Sequence, residues 1–124
     1  MRSISVFGST GSIGESTFDL LMRQGGPARY RTVALTGGRN VARLAAQARA
    51  LRADLAVLAE ADLLADLRAA LAGTATECAA GPIAVAEAAE RPAEWIMSGI
   101  VGAAGLAPGF RALVHGTVLA LANK

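Results

Sequence analysis

Apolar residues along this chain fall into two alternating patterns. Short unbroken runs read as strands: Ile4–Phe7, Tyr30–Leu35, Leu55–Ala59, Trp95–Ser98 and Thr117–Ala122, with a further short strand over Thr74–Ala80. Between them, apolar positions recur every three or four residues and predict helices. The first runs from Ile13 to Arg23, with Ile13, Thr17 and Leu20 or Leu21 on one face. The second presents Val41, Leu44, Ala45, Ala48 and Leu51. The third presents Leu64, Leu67 and Leu71. Asn40 can cap the second helix, and Gly73 ends the third. Pro82 and Pro108 stand where first-turn prolines start helices, the latter over Leu106–Val114.

Strand and helix alternate from end to end, and Val33-Ala34-Leu35 reads as buried on both faces. Such strands belong to a parallel sheet covered by helices on each side. The expectation is a single α/β domain, a Rossmann-like doubly wound parallel sheet over residues 1–124.

Composition narrows this further. Hydrophobic residues are 53% and charged residues 18%, which excludes intrinsic disorder. Aromatics are only 4%, so the core must be aliphatic, with close approach at alanine and glycine. The net charge of +2 comes from scattered arginines, with Lys124 the single lysine, and gives no clustered face for nucleic acid. The longest uncharged stretch, Trp95–Phe110, carries glycines and Pro108 and falls short of a membrane span. No signal peptide is expected, because Met1-Arg2-Ser3 runs directly into a strand. A cytoplasmic protein follows, and the lone Cys78 fits a reducing compartment as a small buried apolar residue. His115 has no carboxylate or cysteine partner in its segment. Asp54, Glu60, Asp62 and Asp66 do not converge on a metal site. Trp95 is expected to pack at the end of the sheet.

Two glycine turns carry the chemistry. Gly8-Ser9-Thr10-Gly11-Ser12-Ile13-Gly14 lies between the first strand and the first helix, where glycines allow a tight turn, close approach of a pyrophosphate and close helix packing. The N–H groups of Gly11, Ser12 and Ile13 would face the anion, aided by the helix dipole and by the hydroxyls of Thr10 and Ser12. The plain alternative is a tight turn that binds nothing. The second turn, Thr36-Gly37-Gly38-Arg39-Asn40, follows a strand without the terminal acid that holds an NAD ribose. Arg39 can pair with a 2′-phosphate, and Gly37 and Gly38 would let the backbone approach the adenosine end, which favours NADPH. The plain alternative here is a solvated arginine on an ordinary turn.

Four blocks in order, Gly8–Gly14, Leu35–Asn40, Ile100–Pro108 and Leu121–Lys124, together resemble the 1-deoxy-D-xylulose 5-phosphate reductoisomerase family. The resemblance spans the chain, and Ile100-Val101-Gly102-Ala103-Ala104-Gly105-Leu106 is its most specific part. It implies an NADPH-dependent oxidoreductase of non-mevalonate isoprene biosynthesis. Such an enzyme isomerises 1-deoxy-D-xylulose 5-phosphate and reduces the product to 2-C-methyl-D-erythritol 4-phosphate, using magnesium or manganese.

For this chain the resemblance implies that Thr10, Gly11, Ser12 and Ile13 hold the pyrophosphate. Gly38, Arg39 and Asn40 hold the 2′-phosphate end, Asn123 lies by the nicotinamide, and Lys124 reaches the phosphorylated sugar substrate. It also implies a bacterial, cytoplasmic homodimer with no nucleic-acid or membrane partner. The chain would be the N-terminal NADPH-binding domain, with no catalytic residue or metal ligand of its own and no turnover. The metal-binding and C-terminal helical parts would lie outside it. Two other readings stay open. One is an NADP-dependent domain of the semialdehyde dehydrogenase or dihydrodipicolinate reductase type. The other is a non-catalytic nucleotide-binding module.

Overall fold

The computed structural model describes residues 2–98 and 118–120, with the backbone alone described at Ser12, Ile13, Ser98 and Val118–Ala120. The elements are β1 (Arg2–Phe7), α1 (Ser12–Arg23), β2 (Tyr30–Gly37), α2 (Val41–Leu51), β3 (Leu55–Leu58), α3 (Leu64–Ala70), β4 (Glu77–Ala80), α4 (Pro82–Ala88), β5 (Trp95–Ser98) and β6 (Val118–Ala120). Short 3₁₀ turns stand at Gly26–Ala28 and Ala61–Leu63.

The six strands form one parallel sheet in the order β4-β3-β2-β1-β5-β6. The chain steps outward from β1 to β4, then returns to the far side of β1 as β5. Chain direction across the sheet therefore reverses between β1 and β5. In open α/β sheets the crevice beyond the carboxyl ends of the strands at such a point is where ligands bind.

Two apolar layers flank the sheet. On one face Leu21 of α1, Leu44, Ala48 and Leu51 of α2, and Leu67 of α3 pack on Ile4, Val6, Leu35 and Leu58. On the other face Ala88, Ala89 and Ala93 pack on Phe7, Val33, Leu55, Val57 and Ile96. Alternate residues of β1 and β3 enter opposite layers, as the period of two in a strand demands. Every residue of β3 is buried, as in a strand covered on both faces. The register between β1 and β2 shifts between Ile4 and Ser5, pairing Ile4 with Thr32 and Ser5 with Ala34 and leaving Val33 as the extra residue of a bulge.

Several local expectations change. Of the two candidate leucines on α1, Leu21 is buried and Leu20 is 52% exposed. The strand expected over 74–80 begins only at Glu77. Before it, Thr74 donates to the Leu71 carbonyl at 2.7 Å and its Oγ1 accepts from Thr76 N–H, so the hydroxyl makes a turn that competes with pairing. The third helix is entered through the 3₁₀ turn at Ala61–Leu63. Cys78 is half-buried against the first apolar layer, because it lies on the edge strand β4. Trp95 stays 41% exposed at the start of β5, with the Arg2 guanidinium 5.5 Å from its ring centre. The helix expected over 106–114, the 100–108 block and His115 lie outside the described residues.

Candidate functional site

The first glycine turn sits at the carboxyl end of β1, beside the point where chain direction reverses. Gly8 has φ +78°, a left-handed conformation that breaks the strand sharply. Its N–H is shared between the carbonyl and the Oγ1 of Thr36 at 3.0 and 3.1 Å, and Ser9 N–H reaches the same carbonyl at 2.7 Å. The loop is thereby tied to the end of β2. Gly11 N–H donates to the Gly8 carbonyl at 3.1 Å. This corrects the expectation that Gly11 offers a free donor: its N–H closes the turn. The helix begins at Ser12. By helix geometry the N–H groups of Ser12, Ile13 and Gly14 have no acceptor within α1, so they are the donors the loop can turn toward an anion.

The glycines of the two turns divide into two kinds. A Cβ on Gly14 would stand 2.1 Å from the Gly8 carbonyl oxygen and 2.5 Å from Ser9 backbone atoms. That glycine is required by the close crossing of helix and loop. A Cβ on Gly37 would crowd the Thr10 side chain at 3.2 and 3.4 Å, so the second turn packs against the first at this point. Gly37 therefore makes room for Thr10, and the space at Gly37 is already filled by protein. Gly11 and Gly38 differ. A Cβ on Gly11 would make only ordinary contact, 3.5 Å from the Gly8 carbonyl oxygen, and one on Gly38 would meet nothing within 4 Å. Neither has left-handed φ.

Helix α2 supports both turns. At its start Asn40 Oδ1 accepts from Arg43 N–H at 3.1 Å, the cap read from the sequence. Gly38, Arg39 and Asn40 are all exposed, and the Arg39 carbonyl accepts from Val41 N–H at 3.0 Å. Two turns further along, Gln47 is fully buried. Its Nε2 donates to the Ser9 carbonyl at 3.0 Å, and its Oε1 accepts from the Ser9 hydroxyl.

Glu15, in the first turn of α1, forms a two-point ion pair with Arg43 of α2, both bonds at 2.6 Å. The Arg43 guanidinium also lies 5.1 Å from the Phe18 ring centre. Hydrogen bonding from Arg43 holds the Glu15 carboxyl below its usual range. Partial burial opposes this, while the Arg43 charge and a hydrogen bond from Gln47 add to it. The same bond raises Arg43. The pair neutralises a carboxylate that would otherwise stand beside the anion-facing end of α1.

The sequence reading missed Glu15, Arg43 and Gln47. Gln47 alone carried a signal: it is the polar residue among Leu44, Ala45, Ala48 and Leu51 on the buried face of α2. Of the residues expected to bind cofactor, Thr10, Gly11, Ser12 and Ile13 fall on one turn and Gly38, Arg39 and Asn40 on the adjoining one, joined through Thr10 and Gly37. Asn123 and Lys124 lie outside the described residues. An apolar cavity of about 240 Å³ opens at the other end of β1 and β5, lined by Ile4, Leu20, Leu21, Tyr30, Trp95 and Met97 among others, away from both turns. Among the described residues no group of three histidines, cysteines or carboxylates could hold a metal, and no helix is long and apolar enough to cross a membrane.

A parallel sheet whose first strand ends in a glycine turn at a helix N-terminus, beside the reversal of strand order, defines a Rossmann-like α/β domain. Within that class, the sequence model of 1-deoxy-D-xylulose 5-phosphate reductoisomerase matches residues 4–124. The chain belongs to the 1-deoxy-D-xylulose 5-phosphate reductoisomerase family. Relatives of that name from Paracoccus denitrificans and Cereibacter sphaeroides are 72% and 71% identical over all 124 residues, which is 32% of each relative. The reductoisomerase of Zymomonas mobilis, solved with NADPH, superposes with a TM-score of 0.93 at 47% identity, covering 98% of this chain and 32% of that one. A second reductoisomerase, solved with NADPH, fosmidomycin and magnesium, gives 0.87 at 35% identity over 99% of this chain and 30% of that one. The chain thus spans about a third of the length of the relatives it matches.

Proposed function

We propose that residues 8–14 and 38–40 hold NADPH, and that the chain is the NADPH-binding part of an enzyme that isomerises 1-deoxy-D-xylulose 5-phosphate and reduces it to 2-C-methyl-D-erythritol 4-phosphate. The observation that carries this reading is the pair Gly11 and Gly38. A backbone clash demands a glycine at Gly14, backbone conformation demands one at Gly8, and the Thr10 side chain crowds any Cβ at Gly37, but none of these reasons applies at Gly11 or Gly38. Close approach of a ligand to the backbone supplies the missing reason.

In this reading the N–H groups at the start of α1 and its dipole bind the pyrophosphate. Their fixed position lowers the cost of ordering the site when cofactor arrives. Arg39 pairs with the 2′-phosphate. The end of β2, Leu35-Thr36-Gly37, brings no carboxylate to repel it. Asn40 spends its Oδ1 on the helix cap, leaving its amide N–H₂ to donate. NADPH would supply the hydride for the reduction. By family resemblance Asn123 lies by the nicotinamide and Lys124 meets the sugar phosphate. By family resemblance the ligands of the magnesium or manganese ion lie in other parts of the enzyme. The whole enzyme is proposed to be a bacterial, cytoplasmic homodimer.

Titration calorimetry with NADPH, followed by an assay of NADPH oxidation with 1-deoxy-D-xylulose 5-phosphate and magnesium, tests the proposal on this chain. Binding without turnover is expected. Absence of binding contradicts the cofactor site, and turnover by the chain alone contradicts the placement of catalysis elsewhere.

A further inference from the structure

The buried polar network beneath the first glycine turn has no part in the reading above. We infer that Gln47 is a positioning residue that sets the geometry of the cofactor loop from α2, an inference that rests on residues 8–14 being the cofactor site. Gln47 is fully buried on a helix face that is otherwise Leu44, Ala45, Ala48 and Leu51. An amide costs free energy there unless its polar atoms are used. They are used on one residue: the Ser9 hydroxyl donates to Oε1, and Nε2 donates to the Ser9 carbonyl at 3.0 Å.

The consequence is geometric. Ser9 lies between Gly8, which is anchored to Thr36, and the turn that delivers Ser12–Gly14 to the anion. Gripping Ser9 at both hydroxyl and carbonyl fixes its position and the plane of the peptide that follows. The grip comes from the helix that Asn40 caps, immediately after Arg39. One rigid element therefore positions both the pyrophosphate turn and the turn proposed to read the 2′-phosphate. Gln47 itself, buried under the loop, acts through Ser9.

The test compares Gln47→Met, which keeps length but neither hydrogen bond, with the milder Ser9→Ala. Titrations with NADPH and with NADH are read beside amide hydrogen exchange without cofactor. Both cofactors share the pyrophosphate, so Gln47→Met is expected to weaken both by the same factor, about tenfold. Exchange should quicken at residues 8–14 while β1 and β3 stay slow. Ser9→Ala should weaken both cofactors less, and add less in the Gln47→Met background than alone. Unchanged affinities, loss for NADPH alone, or exchange quickened evenly across the sheet would overturn the inference. If Gln47→Met fails to fold, Ser9→Ala decides it: equal loss for both cofactors supports the grip, and wild-type affinities refute it. A wild-type chain that binds neither cofactor overturns the cofactor site and the inference together. Wild-type binding matched by Gln47→Met removes the inference alone.

Discussion

The two glycine turns lie side by side but are built in opposite ways. The first is tied down at each step. Gly8 and Ser9 bond to Thr36, Gly11 closes on Gly8, Gly14 lies under the Gly8 carbonyl, and Ser9 is held by Gln47. The second is buried at Thr36 and at Gly37, where it meets Thr10, and is then exposed through Gly38, Arg39 and Asn40 until α2 begins. The difference suits the groups proposed to bind. A pyrophosphate common to all dinucleotides can be met by a preformed cradle of backbone donors. A 2′-phosphate, which separates NADPH from NADH, is met by one long cation whose base alone is fixed by a capped helix.

Substitutions can break this contrast, and the largest effect should come from the tied turn. Gly14→Ala drives a Cβ into backbone atoms that no side-chain rotation can relieve. A loss of about 3 kcal/mol in unfolding free energy is expected, with binding of both cofactors lost as well. Urea denaturation gives the first and titration the second. In the open turn, Arg39→Ala should leave denaturation unchanged and remove a charge-assisted bond worth about 1.5–3 kcal/mol to NADPH, with NADH little affected. Equal losses for both cofactors would show that Arg39 shapes the turn and does not read the phosphate.

A smaller effect belongs to the pair that braces α1 against α2. Both side chains are more than a third exposed or close to it, so the Glu15–Arg43 pair is worth about 0.5–1 kcal/mol. The folded value of Glu15 lies below its ordinary 4.5, so the contribution is present in full above that pH. It is lost as pH falls from 4.5 through the folded value. The stability gap between the wild type and Glu15→Gln should therefore hold at neutral pH and close in acid, as followed by denaturation over pH 2–7. A gap independent of pH would assign the effect to packing.

Much of the fold was legible because the signals were local. Strands β1, β2, β3 and β5, the Asn40 cap and the buried face of α2 follow from runs and spacings that no distant contact overrides. Where local and tertiary forces compete, reading failed. The start of β4 yielded to a threonine turn, and Leu20 and Leu21 could not be told apart until the sheet stood beneath α1.

The site divides in the same way. Its glycines and Arg39 were legible as a motif on consecutive residues. The brace was not, because Ser9 and Gln47 lie 38 positions apart and Glu15 and Arg43 lie 28 apart. Position within the motif did separate the glycines: the first for the turn, the middle one for close approach of a ligand, and the third for helix packing. The structure adds what enforces that division: a Cβ is tolerable at Gly11 and collides with backbone at Gly14.

That distinction gives the most direct test of the account. Gly11→Ala, examined by denaturation and by NADPH titration on the same preparation, separates a glycine kept for a ligand from one kept for packing. The account predicts a stability change of about 1 kcal/mol or less, the cost of an alanine at a helix N-cap. It also predicts NADPH affinity weakened about 10- to 100-fold as the new methyl group meets the pyrophosphate. Wild-type affinity in the folded variant, or a loss of stability as large as that of Gly14→Ala, would contradict it.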